Sequence, residues 1–117
     1  MTLTPVPGTA PGVSDILTRL EHTIAARRDA APDSSYVAQL NARGLPVIAR
    51  KLGEEAVEAV VAALSGDDTE LTGEAADVLF HLTVLLNARG IALADVFAEL
   101  ERREGTSGID EKNSRSE

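Results

Sequence analysis

Two acidic clusters, at residues 54–58 and 74–77, lie inside the two most apolar stretches of the chain. On a helix with 100° per residue, the polar residues of each stretch fall on one narrow stripe, and apolar residues cover most other directions. The two polar stripes comprise Lys51, Glu54, Glu55 and Glu58 in the first stretch and Glu74, Asp77 and His81 in the second. A helix that is apolar on nearly all sides is typically buried, so we expect these carboxylates in or at the edge of a protein interior.

Carboxylates gathered in an interior need positive charge nearby, because burial and mutual repulsion both oppose their ionisation. Lys51 is the only basic residue on either stripe, so the chain's own cations cannot neutralise the group. A divalent metal can, and Glu and Asp oxygens favour Mg²⁺ or Mn²⁺ over zinc or copper. The alternative is an ordinary solvated acidic face. Against it, the residue four positions after Glu54 is Glu58, a repulsive pair that costs about 0.2–0.5 kcal/mol in an isolated helix.

Composition limits the classes of protein that this chain can represent. Its 117 residues leave room for one domain with one core. The net charge of −8 argues against binding nucleic acid or an anionic membrane through a basic surface. No run of about 18 apolar residues could span a membrane and no secretion signal is evident, so we expect a soluble cytoplasmic protein. The absence of cysteine excludes disulfides, thiol nucleophiles and zinc–thiolate sites.

Caps and helix breakers predict an all-α chain, and no β pattern is visible. We expect residues 1–12, rich in Pro and Gly, to form a flexible lead, residues 13–104 the helical domain, and residues 105–117 a polar tail. The predicted helices run from an N-cap at Ser14 to Arg28, from a cap at Ser34–Ser35 to Gly44, from Pro46 to about Leu64, from the turn at residues 65–68 to about Arg89, and from Leu93 to Arg103.

The short turn between the third and fourth helices predicts that they form an antiparallel pair. Glu58 and Asp77 lie at nearly equal distances from this turn, so they should face each other at the same height. Glu54 or Glu55 and His81 then lie about one turn further along. The spacing therefore predicts a site of four carboxylates between two helices. Because two long apolar helices in so short a chain leave surface uncovered, we also expect at least a homodimer.

Longer motifs surround both clusters: KLGEEAVE at residues 51–58 and EAADVLFHL at residues 74–82. Further matching segments lie at residues 16–21, 35–38, 44, 48–49, 99–103 and 107–112. Together they resemble the phosphoribosyl-ATP pyrophosphatase family, within the all-α nucleoside-triphosphate pyrophosphohydrolase superfamily that includes MazG and dimeric dUTPases. ExxE with ExxD marks the superfamily, whereas KxGEE with AADxxxH is more specific to this family. The resemblance implies a MazG-like antiparallel bundle of four to five helices, completed by oligomerisation.

The resemblance also implies an activity: Mg²⁺-dependent hydrolysis of phosphoribosyl-ATP to phosphoribosyl-AMP and pyrophosphate, the second step of histidine biosynthesis. The implied metal ligands are Glu55, Glu58, Glu74 and Asp77. The candidate catalytic carboxylates are Glu54, Glu55 and Glu58, with Glu54 as a further ligand or as the base that orients water. The candidate phosphate-binding residues are Lys51, Arg50, Arg43, Lys112 and Arg115. Val47 stands where many relatives carry Lys or Arg, so we expect Arg43, Arg50 or the tail cations to supply that contact.

Two other functional classes remain open. A house-cleaning nucleoside-triphosphate pyrophosphatase would use the same scaffold, and the motifs flanking the clusters argue against it. A non-catalytic helical dimerisation module would not need complete ExxE and ExxD sets at matching height. A diiron bundle normally takes Glu-x-x-His from two helices, and the chain offers only one usable histidine.

Three other side chains allow a purely structural interpretation as well as a functional one. His81, on a largely apolar helix, is more often a hydrogen-bonded core residue than a catalyst. Tyr36 is equally consistent with the core and with a position facing the substrate. His22 falls on the solvent side of the first helix, so we interpret it as a surface residue.

Overall fold

The computed structural model describes residues 13–105, and within this range every regular element is a helix. The helices are α1 (Val13–Arg27), α2 (Tyr36–Arg43), α3 (Leu45–Ser65), α4 (Asp68–Ala88) and α5 (Leu93–Arg103). The all-α prediction is confirmed. Ser14, predicted as an N-cap, lies inside α1, a difference within the one or two residues by which helix ends are commonly ambiguous. The predicted lead and all of the predicted tail except Gly105 lie outside the described residues.

Local capping explains where the central helices begin and end. The Ser35 side chain accepts a hydrogen bond from the Ala38 amide at 3.0 Å, which caps α2. Gly44 ends the same helix with a φ of 99°, a value that favours glycine, and α3 starts at the next residue. Asp67 caps α4 by accepting from the Glu70 amide at 2.8 Å. Each such N-cap typically contributes about 1 kcal/mol.

The core lies at the end of the α3–α4 hairpin that is remote from its turn. Its buried residues come from four helices: Ile24, Val37, Leu40, Ile48 and Val84. Near the turn, α1 and α2 no longer cover the hairpin, and Val57 and Leu64 are 62% and 84% exposed. Apolar surface of α3 therefore stays uncovered in a single chain, as the sequence analysis expects, because the chain has too few helices to cover it.

Side chains of α1 and of the loop that follows it form hydrogen bonds at the ends of two other helices. The Arg28 guanidinium donates to the Asn87 carbonyl at 3.1 Å, close to the C-terminus of α4. The Glu21 carboxylate accepts from the Leu93 amide at 2.8 Å, in the first turn of α5. Both charges have the sign that the helix dipole favours at that terminus. These two contacts therefore hold the α4–α5 corner against α1.

Gly90 marks the corner between α4 and α5, as the sequence predicts for a helix stop, and its φ is 72°. No single helix within residues 13–105 is long and apolar enough to cross a membrane. By length and composition alone, α4 and α5 would qualify only as a pair that is bent by 112°.

Replacing Glu21 by alanine should lower the free energy of unfolding by about 1 kcal/mol, because the Leu93 amide loses its acceptor and α5 its capping charge. Urea denaturation measures this loss, and hydrogen exchange at the Leu93 amide should become faster. Glu101→Ala, at an exposed position near the end of α5, is the control and should change stability much less. Equal losses in both variants would contradict capping by Glu21.

Candidate metal centre

Three glutamates from two helices converge between α3 and α4. Glu55 and Glu58 share one face of α3 because they are three residues apart, and Glu74 faces them from α4. Each offers a carboxylate oxygen, and these three oxygens lie within 4.8 Å of one another. We call Glu55, Glu58 and Glu74 the carboxylate cluster. The antiparallel pairing thus brings together three of the four residues that the sequence suggests as metal ligands.

Two oxygens of the carboxylate cluster are out of contact with water. Neither Oε2 of Glu55 nor Oε2 of Glu74 has a hydrogen-bond partner among the residues that the structure describes. An ionised carboxylate can only accept hydrogen bonds, so its neighbours in the cluster cannot satisfy it. A buried acceptor without a donor is costly. A set of oxygen donors with unpaired lone pairs fits a hard divalent cation.

Burial and like charges make the carboxylate cluster resist ionisation. Burial raises the pKa of Glu55, and the carboxyl groups of Glu58 and Asp77 raise it further, while His81 opposes them. Burial also raises the pKa of Glu74, again reinforced by Glu58 and Asp77. Asp77, the fourth suggested ligand, therefore lies close enough to act on both groups, although it is itself exposed. Because ligands must be deprotonated, a cation that binds here competes with protons.

Glu54 is not among the three converging carboxylates and belongs to an ion-paired group on the surface of α3. Its two carboxylate oxygens lie 3.6 Å from Arg50 Nε and 3.6 Å from Lys51 Nζ. All three side chains are substantially exposed, so these pairs contribute at most about 1 kcal/mol each. Two of the suggested phosphate-binding cations therefore pair with the carboxylate that the sequence suggests as a base.

The remaining suggested cations are more distant or outside the described range. Arg43 lies exposed in the last turn of α2. Lys112 and Arg115 lie outside the residues that the structure describes. Val47 packs against the core. The phosphate-binding roles stay predictions.

His81 links the helix that carries Asp77 to α2. The ring is 5% exposed, with Nδ1 2.8 Å from the Asp77 backbone oxygen and Nε2 3.1 Å from the Tyr36 hydroxyl. Because a carbonyl only accepts, Nδ1 donates to it, and in the neutral ring Nε2 accepts from the hydroxyl. This is the arrangement of a hydrogen-bonded interior histidine. His22 is exposed.

An open groove of about 540 Å³ runs from the carboxylate cluster toward the α3–α4 turn. Val57 and Val61 supply apolar walls, and Glu58, Glu74 and Asp77 lie at its polar end. Glu70 also lines this groove, and the sequence analysis does not single it out. Helical spacing could have indicated this residue, because Glu70 precedes Glu74 by four residues and therefore lies on the same face of α4.

Comparison with known proteins links this arrangement to a family. Residues 17–104 match the model of the family described as phosphoribosyl-ATP pyrophosphohydrolase. The chain is 66% identical to a phosphoribosyl-ATP pyrophosphatase of Erythrobacter litoralis, over 86% of this chain and 97% of the relative. It is 64% identical to the protein of that name from Novosphingobium aromaticivorans, over 87% and 95% of the two chains. The identity with that of Rhizorhabdus wittichii is 65%, over 85% and 93%. The chain belongs to the phosphoribosyl-ATP pyrophosphohydrolase family.

Proposed function

We propose that this chain hydrolyses phosphoribosyl-ATP to phosphoribosyl-AMP and pyrophosphate, the second step of histidine biosynthesis, in the cytoplasm. The observation that carries the proposal is the carboxylate cluster, in which three carboxylates from two helices meet within 4.8 Å. The names of the relatives support the choice of substrate. The unpaired oxygens of the cluster support a requirement for Mg²⁺ or Mn²⁺.

In this proposal the cation is held by Glu55, Glu58, Glu74 and Asp77. When bound, Mg²⁺ supplies the charge that neutralises the phosphates and polarises the anhydride under attack. A carboxylate of the site, with Glu54, Glu55 and Glu58 as candidates, orients a water and accepts its proton. The water oxygen bonds to phosphorus while the anhydride between the α and β phosphates breaks. Pyrophosphate leaves, and no covalent enzyme intermediate is required.

The cations beside the site are proposed to bind phosphate by exchanging partners. Arg50 and Lys51 are paired with Glu54 at 3.6 Å in exposed positions, where such pairs are weak. A phosphate oxygen at hydrogen-bond distance would form a charge-assisted bond shorter and stronger than these 3.6 Å contacts, so it can displace the carboxylate. Release of Glu54 from both cations would also free it to orient water. Arg43, Lys112 and Arg115 are further candidates for the ribose phosphate.

The assembly is proposed to be a homodimer or a larger homo-oligomer. The supporting observation is a row of exposed apolar side chains where α1 and α2 do not reach the hairpin. The row comprises Val57, Val60, Val61, Leu64 and Leu79. Several large apolar side chains left exposed in this way usually mark an interface, and a second copy of the chain brings the same surface. We propose neither nucleic acid nor a membrane as a partner.

The house-cleaning alternative is tested by substrate preference. We expect a much higher kcat/KM for phosphoribosyl-ATP than for ATP or dUTP, measured as pyrophosphate release. Neutralising Lys51 or Arg50 should reduce kcat/KM on phosphoribosyl-ATP by about tenfold to a hundredfold, since a charge-assisted bond is worth about 1.5–3 kcal/mol. Arg89→Gln, at an exposed position after α4, serves as the control. Equal activity of the native protein on ATP and phosphoribosyl-ATP would instead favour the house-cleaning class.

Amide substitutions test the metal ligands. Glu58→Gln or Asp77→Asn should reduce turnover at least about a hundredfold, while the metal-free variants stay as stable as the native protein or become more stable. The raised pKa values of Glu55 and Glu74 mean that the folded cluster binds more protons than the unfolded chain above pH about 4.5. As the pH rises above about 4.5, these carboxyl groups lose their protons and repel each other more strongly. The stability of the metal-free amide variants, relative to the native protein, should therefore increase over the same pH range.

Thermal unfolding of these variants, with and without Mg²⁺, provides the measurement. Mg²⁺ should raise the Tm of the native protein and do so much less for the amide variants, because binding to the folded state stabilises it. Glu101→Gln, an exposed glutamate on α5, is the matched control and should behave as native. Strongly lowered metal-free stability in Glu58→Gln and Asp77→Asn would count against the ligand assignment.

Sedimentation tests the assembly. The native protein should sediment as a dimer or larger at micromolar concentration, whereas Val60→Asp should shift it toward monomers by placing a charge in the apolar row. Leu100→Asp makes the same change at an exposed apolar position on α5 and should leave the assembly intact. A native protein that is monomeric, well folded and fully active would rule out the proposed oligomer.

A further inference from the structure

Aromatic side chains are scarce in this chain, and two of the three lie together. The sequence holds one tyrosine and two phenylalanines. Tyr36 on α2 stacks on Phe80 of α4, with ring centroids 6.0 Å apart and planes 17° from parallel. His81 meets both rings edge-on, at 5.8 Å and 5.1 Å. Phe80 packs against the core, whereas Tyr36 is 45% exposed.

The exposed tyrosine ring is held in one orientation. Its hydroxyl is hydrogen-bonded to the buried His81, and the His81 ring is hydrogen-bonded in turn to the Asp77 backbone oxygen. Its inner side rests on Phe80, and it lies in the first turn of a helix that Ser35 caps. An aromatic surface fixed in this way loses little entropy when a planar ligand stacks on it.

The hydrogen bond from Tyr36 to His81 on α4 relates the tyrosine ring to the carboxylate cluster. His81 lies one helical turn, about 5.4 Å, beyond Asp77 in the direction away from the α3–α4 turn. The apolar groove extends from the cluster in the opposite direction, toward the turn. A nucleotide with its phosphates at the cluster and its base directed away from the turn would therefore bring the base toward Tyr36.

We propose that Tyr36, supported by Phe80, forms the stacking surface for the purine base of the substrate. This inference rests on the proposed function, since it takes the phosphates to be bound at the carboxylate cluster. Stacking on an aromatic face needs no matched hydrogen bonds, so it suits a base whose position is set mainly by the phosphates. The competing occupant of this surface is a second copy of the chain.

The sequence offers a direct reporter of this surface. Tyr36 is the only tyrosine and tryptophan is absent, so the tyrosine emission of the native protein comes from this ring alone. AMP, added in the presence of Mg²⁺, should quench the emission saturably, whereas ribose 5-phosphate and pyrophosphate should not. N-acetyltyrosinamide at the same AMP concentrations corrects for light absorbed by the base. The proposal would be overturned if AMP caused no saturable quenching, or if pyrophosphate quenched the emission equally. A tyrosine ring covered by a second copy of the chain would show no quenching by AMP, and that result would overturn the proposal too.

Steady-state kinetics separate stacking from a role in holding the metal site. Tyr36→Leu should raise KM for phosphoribosyl-ATP by roughly tenfold or more, with kcat within about twofold of native. Tyr36→Phe retains the ring and should keep a KM near native. Phe97→Leu, which removes the third aromatic ring on α5, is the matched control and should leave KM unchanged.

The outcomes distinguish this proposal from the proposed function. If Tyr36→Leu lowers kcat and the Mg²⁺-induced shift in Tm but leaves KM unchanged, the ring acts through His81 on the metal site and base stacking is ruled out. If the native protein fails to release pyrophosphate from phosphoribosyl-ATP, the proposed function fails, while the AMP titration still decides whether a purine stacks on Tyr36. Should Tyr36→Leu fail to fold, that titration and Tyr36→Phe provide the test.

Discussion

The pairing of α3 with α4 is the interaction on which the site depends, because it forces like charges together. At one end of the hairpin Ile48 and Val84 are almost fully buried, and each such burial stabilises the fold by about 1.5–3 kcal/mol. Two ionised carboxylates about 4 Å apart near a protein surface repel each other by about 4 kcal/mol. Apolar packing therefore holds the carboxylate cluster in an arrangement that the carboxylates alone would not adopt, and the raised pKa values of Glu55 and Glu74 are the consequence.

The same pairing explains why the site and the uncovered apolar surface adjoin. The first two helices cover the hairpin at its core end, so the end near the turn exposes the row that includes Val57 and Val61. Both of these residues also line the groove that leads to Glu58 and Glu74. A second copy placed on this row would exclude water from the groove. The lower effective dielectric constant would then strengthen each interaction between the carboxylates and a bound cation.

The helices could be predicted from sequence because their signals are local. The serine before α2, Gly44 and the periodic apolar residues act on their immediate neighbours, and the short turn fixes which helix faces which. Periodicity alone could not distinguish Glu54 from Glu55, since both fall on one polar stripe. In the structure Glu54 pairs with Arg50 and Lys51, whereas Glu55 converges with Glu58 and Glu74. Periodicity and chain length did indicate that part of the apolar surface remains uncovered in a single chain, but not which side chains are exposed.

No loop separates α2 from α3. Because α2 ends at Arg43 and α3 begins at Leu45, Gly44 is the only non-helical residue between the ring of Tyr36 and the carboxylates of Glu55 and Glu58. One residue inserted between Gly44 and Glu55 would rotate the carboxylates by about 100° about the axis of α3 and away from Glu74. A residue inserted in the lead before α1 would leave this register untouched. The spacing of the segment from Tyr36 to His81 is therefore as much a part of the site as the identity of its residues.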